Sequence, residues 1–179
     1  MLSIVDQIIF NFSNNKSLYI GEQITMSEHM IQTAMLAEKN NCSTDLICSC
    51  LLHDYGHFVI KDADKLVKNE INGNHETIGA NYLKKFFSNE IIEPILLHVK
   101  AKKYLARNKK YFNNLSEASK VSLNLQGGIM NDNEAKKFEQ NKKYKNAIKL
   151  RRFDENAKKK NIKIKKISDY EELLISKVI

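Results

Sequence analysis

Apolar positions along this chain recur with a helical period. Ile4, Ile8 and Phe12 fall four apart, which predicts an amphipathic helix over residues 2–12. A polar turn, residues 13–17, should follow. Ser27 is a candidate cap for a second helix reaching about Asn40, which puts His29 in its first turn. Ser43 or Thr44 can cap a third, whose Leu46, Ile47, Cys50 and Leu51 lead into His53 and Asp54, with Gly56 ending the regular face. Residues 60–74 are polar. From His75 the pattern turns helical again, with Ile78, Tyr82 and Leu83 facing inward. Residues 90–101 predict a further helix with Pro94 near its start, where the missing N–H is tolerated. Residues 116–125 are helical and stop at Gly127 and Gly128, and residues 134–158 read as one long helix or two short ones. Ser168 and Glu171 have the spacing of a capping box for a last short helix.

Composition agrees with this pattern. One proline and six glycines are few for a fold built on hairpins, and 179 residues at 42% apolar can bury one core. The expectation is an all-α single domain, 1–179, with 159–179 as a basic C-terminal extension. No run of eighteen apolar residues predicts a membrane span. The first twelve residues carry Asp6 and lack a basic start, so they do not read as a signal peptide. Three cysteines, Cys42, Cys48 and Cys50, are an odd number and argue for core fillers in a reducing cytoplasm rather than a disulfide framework.

The formal charge is +8, much of it late in the chain at Lys158, Lys159, Lys160, Lys163, Lys165 and Lys166. No aromatic residues interleave this run to stack on bases, so it predicts a solvated face rather than a nucleic-acid surface. An anionic small molecule would also suit a basic protein.

The chemistry concentrates elsewhere. All five histidines lie between positions 29 and 98: His29, His53, His57, His75 and His98. His53 is followed directly by Asp54, and Asp154 comes late, after Arg151. Adjacent residues at a helix end can aim two ligand heads at one centre if the helix points into a cavity. Imidazole and carboxylate without thiolate favour iron, manganese or a similar divalent ion over a structural zinc. A shared carboxylate also offsets the repulsion between two nearby cations. His57 lies one helical turn after His53, Lys102 one turn after His98 and Arg151 one turn before Asp154, so each pair can share a face.

This ordering, His, then His-Asp, then Asp, resembles the HD superfamily, a bundle of helices that coordinates metal. The two extra histidines resemble its dinuclear subgroup, which includes nucleotide phosphohydrolases and mixed-valent diiron oxygenases. Over residues 19–158 the chain is most similar to the glycine-forming 2-amino-1-hydroxyethylphosphonate dioxygenase family. The likeness runs through Tyr19-Ile20-Gly21-Glu22, Glu28-His29, Leu51-Leu52-His53-Asp54-Tyr55-Gly56-His57 and His75-Glu76-Thr77-Ile78-Gly79-Ala80. It continues in His98-Val99-Lys100-Ala101-Lys102-Lys103-Tyr104-Leu105, Leu125-Gln126-Gly127-Gly128 and Leu150-Arg151-Arg152-Phe153-Asp154.

The resemblance implies an iron-dependent oxygenase in phosphonate catabolism. Its cofactor would be two iron ions in a mixed-valent Fe(II)/Fe(III) state. Its substrates would be O2 and a small 1-hydroxyphosphonate, above all 2-amino-1-hydroxyethylphosphonate, giving glycine and phosphate. His29, His53, Asp54 and Asp154 would hold one iron. Asp54 would bridge to the second, held also by His75 and His98. His57, Lys102, Gln126, Arg151 and Ser122 or Ser119 would contact the phosphonate. Tyr19 would close over an iron before substrate arrives, and Glu22 would then suit a cationic amine. Two other readings stand beside this one. The same centre could activate water as a phosphohydrolase acting on a nucleotide or another phosphate ester. A metal-stapled binding protein could instead use the lysine-rich tail.

Overall fold

The computed structural model describes residues 2–19, 22–59 and 74–179. Among them the chain is helical, with two isolated bridges, Leu18 with Thr25 and Phe87 with Val178, and no strand. The all-α expectation holds. The polar segment 60–73 lies outside the described residues.

Helix α1 (Ile4–Asn14) is opened by Ser3, whose hydroxyl accepts from the Asp6 N–H while Asp6 accepts from the Ser3 N–H. Its Ile4, Val5, Ile8 and Phe12 are buried. Helix α2 (Met26–Lys39) starts earlier than the Ser27 reading requires. Thr25 and Glu28 form the capping box, and Ser27 instead donates to the Phe12 carbonyl, tying α2 to α1. Helix α3 (Thr44–Leu52) is capped by Ser43 and buried along most of its length.

Gly56 does not merely end α3. It opens a short helix, α4 (Gly56–Val59), and lies against α5 (His75–Leu83). A Cβ on Gly56 would sit 2.0 Å from the His75 carbonyl oxygen, and one on Gly79 would sit 2.8 Å from the Gly56 nitrogen. Two glycines therefore allow the backbones to meet, which brings His75 beside the His53-Asp54 corner. Helix α6 (Asn89–Leu105) is longer than expected, so Pro94 lies in its second turn rather than at its start.

Helix α7 (Lys109–Asn113), which the hydrophobic pattern did not reveal, is capped by Asn108. Helix α8 (Glu117–Leu125) ends where Gly127 and Gly128 take φ of 91° and 72°, left-handed values that favour glycine. Residues 134–158 resolve into the two-helix alternative, α9 (Asp132–Glu139) and α10 (Tyr144–Asn156). The Asn141 side chain accepts from the Lys143 N–H between them.

Helix α10 packs along α6 and also against α2 and α3; α3 packs on α2 and α6. These four helices surround the chemical residues. The C-terminal segment folds back over α1 and α3, burying Ile167, Tyr170 and Leu174. Ser168 is not a helix cap: it lies inside a 3-10 turn (Ile167–Tyr170), where Asp169 accepts from the Lys166 N–H before α11 (Glu171–Lys177) begins. Cys48 and Cys50 are buried, Cys42 is half-buried and all three are free, as expected of core fillers. No helix among the described residues is long and apolar enough to cross a membrane.

Candidate metal centre

Six side chains from five helices and their ends converge in the core. His29 comes from α2, His53 and Asp54 from the end of α3, His75 from α5, His98 from α6 and Asp154 from α10. They form two groups, His29 with His53 and Asp154, and Asp54 with His75 and His98, each with ligand atoms within 4.8 Å of one another.

Asp54 stands between the groups. Its Oδ2 lies 3.3 Å from His53 Nε2 and 3.8 Å from His29 Nε2, while its Oδ1 lies 3.2 Å from His75 Nε2 and 3.5 Å from His98 Nε2. One carboxylate thus presents an oxygen to each group. Asp154 Oδ1 is 3.2 Å from His29 Nε2.

Backbone carbonyls fix three of the imidazoles. His29 Nδ1 donates to Ala157 at 2.9 Å, His53 Nδ1 to Cys50 at 2.9 Å and His98 Nδ1 to Ile95 at 2.6 Å. A carbonyl only accepts, so the proton belongs on Nδ1 and the Nε2 lone pair is turned to the centre. His75 stacks on His57, with centroids 4.5 Å apart. Its Nε2 faces His98 Nε2 at 3.1 Å, a close approach of two nitrogens that a shared proton or a cation can satisfy.

The fit of a metal can be tested on these atoms. His29 Nε2, His53 Nε2, Asp54 Oδ1 and Asp154 Oδ1 are all buried without a well-formed hydrogen bond. Each such group costs about 1–3 kcal/mol when nothing pairs it. Four in one place, nitrogens and carboxylates together, suit cations. The charges agree. Burial opposes ionisation of Asp54, but His53 and His75 outweigh it and hold the carboxyl well below its usual range. Burial likewise opposes ionisation of Asp154, and Arg151 outweighs it with help from His29 and His53. Against its burial, Asp54 raises His53 to about 9, so metal entry at neutral pH displaces a proton there. The His/Asp set suits a dinuclear metal site.

Around this centre lie the other candidates. Tyr19 stacks on His29, with centroids 3.9 Å apart, and covers that group. Burial first, then Asp154 and Asp54, push its phenol well above the ordinary value, so it stays protonated. His57 is lowered to about 3 by burial and by His75, so it stays neutral. Lys102 is buried one turn beyond His98 and donates to Ser122 at 2.8 Å. Burial and Arg151 lower it to about 7. Gln126 follows α8, and its Oε1 is buried without a hydrogen bond among the described residues. Ser119 serves a different partner from Ser122: it donates to Glu155 and accepts from Arg151 and Lys158. Arg151 is buried and bonds Asp154, Glu155, Ser119 and Tyr111, so most of its donors already have partners.

Two residues escaped the sequence reading. The sequence puts Lys158 in a solvated run, yet its side chain is only 10% exposed and its ammonium meets Glu155, Ser116, Ser119 and Glu22. Glu155, directly after Asp154, joins Lys158 to Arg151. The available signal is the spacing of Arg151, Glu155 and Lys158, four and three apart, although α10 itself ends at Asn156.

The chain matches the HD domain family over residues 26–174, and it belongs to that family. Within it, the chain is 42% identical over 156 residues to hydroxymethylphosphonate dioxygenase of Gimesia maris, covering 85% of this chain and 77% of that protein. It is 43% identical over 142 residues to [1-hydroxy-2-(trimethylamino)ethyl]phosphonate dioxygenase (glycine-betaine-forming) of Leisingera caerulea, covering 79% and 72%. An uncharacterized protein, L432, of Acanthamoeba polyphaga mimivirus is 38% identical over 160 residues, covering 88% and 73%.

Proposed function

We propose that this protein is a diiron oxygenase that cleaves the carbon–phosphorus bond of a 1-hydroxyphosphonate. The observation that carries the reading is Lys102: a buried ammonium that donates to the Ser122 hydroxyl, beside a cluster of unpaired nitrogens and carboxylates. A dianion bound there supplies the missing counter-charge and holds Lys102 protonated at neutral pH. The names of two relatives supply the substrate class.

In this reading His29, His53 and Asp154 would hold one iron and His75 and His98 the other, with Asp54 offering an oxygen to each. The mixed-valent Fe(II)/Fe(III) pair, when bound, supplies the redox chemistry with dioxygen, and the protein supplies the positioning. Lys102, Ser122, Gln126 and neutral His57 bind the phosphonate as donors. Arg151 acts mainly by holding Asp154 and Glu155. Tyr19 excludes water from the first group until substrate arrives. The reaction balances without an outside reductant: hydroxymethylphosphonate and O2 give formate and phosphate, and the 2-amino-1-hydroxyethyl compound gives glycine and phosphate. Three free thiols and a ferrous ion suit a reducing compartment such as the cytoplasm.

Oxygen uptake decides between this reading and a phosphohydrolase built on the same ligands. Anaerobically iron-loaded protein is given a 1-hydroxyphosphonate and then oxygen, with phosphate followed in the same vessel. Equimolar O2 consumption and phosphate release are expected. Absence of uptake with the hydroxymethyl, aminoethyl and trimethylammonio compounds alike, together with hydrolysis of phosphate esters, would overturn it.

A further inference from the structure

The three buried or half-buried cations beside the centre line up along α8. Lys158 meets Ser116 and Ser119, Arg151 meets Ser119, and Lys102 meets Ser122. Their counter-charges are distributed unevenly. At the Lys158 end stand two carboxylates, Glu155 at 3.2 Å and Glu22 at 3.6 Å from its ammonium. At the Lys102 end the bonded partner is a hydroxyl. The site is therefore polar in the electrical sense, with open positive charge at one end and an ion cluster at the other. In that cluster Glu22 Oε1 is buried, accepts no hydrogen bond among the described residues and has the Lys158 ammonium as its counter-charge at 3.6 Å. A phosphonate belongs at the Lys102 end, so the substituent on its carbon points toward Glu22 and Lys158.

Three carboxylates meet two cations here; a metal held by Asp154 would take up one negative charge and leave Glu22 and Glu155 against Lys158 and Arg151. Lys158 also lies 5.7 Å from the Tyr19 ring centroid, and the Glu22 N–H donates to the Tyr19 carbonyl at 2.9 Å. The same ammonium thus reaches both Glu22 and the face of Tyr19. An incoming ammonium would be a surplus positive charge beside Lys158, in surroundings where water screens little. Glu22 alone would welcome an amine; Glu22 with Lys158 does not.

We propose that Lys158 is a specificity-determining residue, which neutralises Glu22 and so turns the enzyme toward 1-hydroxyphosphonates with an uncharged substituent. This rests on the phosphonate reading above, and it reverses the aminoethyl preference expected from Glu22 by itself.

The test is anaerobic calorimetry on full-length, iron-loaded protein, titrated with hydroxymethylphosphonate and with 2-amino-1-hydroxyethylphosphonate, so that it reads binding and not turnover. Wild type should bind the hydroxymethyl compound the more tightly. Lys158→Met should shift the ratio of the two dissociation constants by about tenfold or more toward the amine. Lys158→Arg should keep the wild-type ratio. Glu22→Gln, which leaves Glu155 alone to face both Lys158 and Arg151, should move the ratio the opposite way. Equal weakening of both ligands in Lys158→Met, with the ratio unchanged, would mean a merely structural role and overturn the proposal. A wild type that prefers the amine would also overturn it. If wild type binds neither compound, the phosphonate reading itself falls and this inference with it.

Discussion

The two halves of the metal centre are built differently. The group of His29, His53 and Asp154 is set in the packed core between α2, α3 and α10, and all three residues are buried. Two backbone carbonyls orient its imidazoles, and Arg151 holds its carboxylate. The group of Asp54, His75 and His98 shares Asp54 with the first but depends on α5 for His75. That histidine is half-buried and opens its helix next to Asn74, which takes a left-handed φ of 46°. The Ile95 carbonyl orients His98, but His75 Nδ1 is 3.7 Å from Glu76, beyond hydrogen-bond reach, and its ring rests on His57. The first group is prepared by the fold, whereas the second is completed by one docked helix. Outer-shell bonds to ligating histidines commonly change metal affinity by about 10- to 100-fold. The second position should therefore be the weaker one.

The hardest test of this comparison is to remove what the groups share. Asp54→Ala deletes the oxygen facing each group, so it should abolish retention of both metals and all activity. Metal analysis after desalting checks this. A variant that still carried two irons per chain would show that the two groups are independent of Asp54.

A smaller change should separate the halves. Gly56→Ala puts a methyl group against the His75 carbonyl, where backbone stands on both sides and neither can yield easily. Overpacking of this kind costs about 1–3 kcal/mol. For a chain of this size, Tm should fall by roughly 2–4 °C per kcal/mol. Because α5 is displaced and α2, α3 and α10 are not, one metal per chain should be retained and the other lost. Loss of both, or of neither, would erase the distinction between the prepared and the docked group.

Much of the first group was legible from sequence because its residue types are rare and their spacing is constrained. Adjacent His53 and Asp54 at a helix end have few uses other than convergence. The helical fold was legible because the apolar period is local. Other features depend on contacts between distant segments and leave little local trace. Gly56 reads as a helix stop, and only the approach of Gly79 reveals why a glycine is needed there. Lys158 reads as one more lysine in a basic run. It is drawn inward by Glu22, distant in the chain, and by Ser116 and Ser119 of α8. The Thr25-Glu28 capping box is a different case: its spacing is local, and Ser27, which has the side chain of a cap, turns instead to the Phe12 carbonyl of α1.

The mildest test concerns His57, which touches the docked group without belonging to it. It stacks on His75 and does not contribute to either ligand group. His57→Ala should leave both metals in place while weakening phosphonate binding by about tenfold, the worth of one hydrogen bond to a charged group. The sign of its pH dependence follows from its ionisation. Burial and His75 lower its pKa to about 3, and bound cations would lower it further, so between pH 6 and 8 the ring is neutral throughout. It can donate a hydrogen bond in that range but adds no charge. The ratio of wild-type to variant dissociation constants for hydroxymethylphosphonate should therefore stay flat from pH 6 to 8. A ratio that grew as pH fell would mean that His57 binds as an imidazolium. Loss of iron from the variant would instead make His57 a necessary support for His75, and the docked group more fragile than its geometry implies.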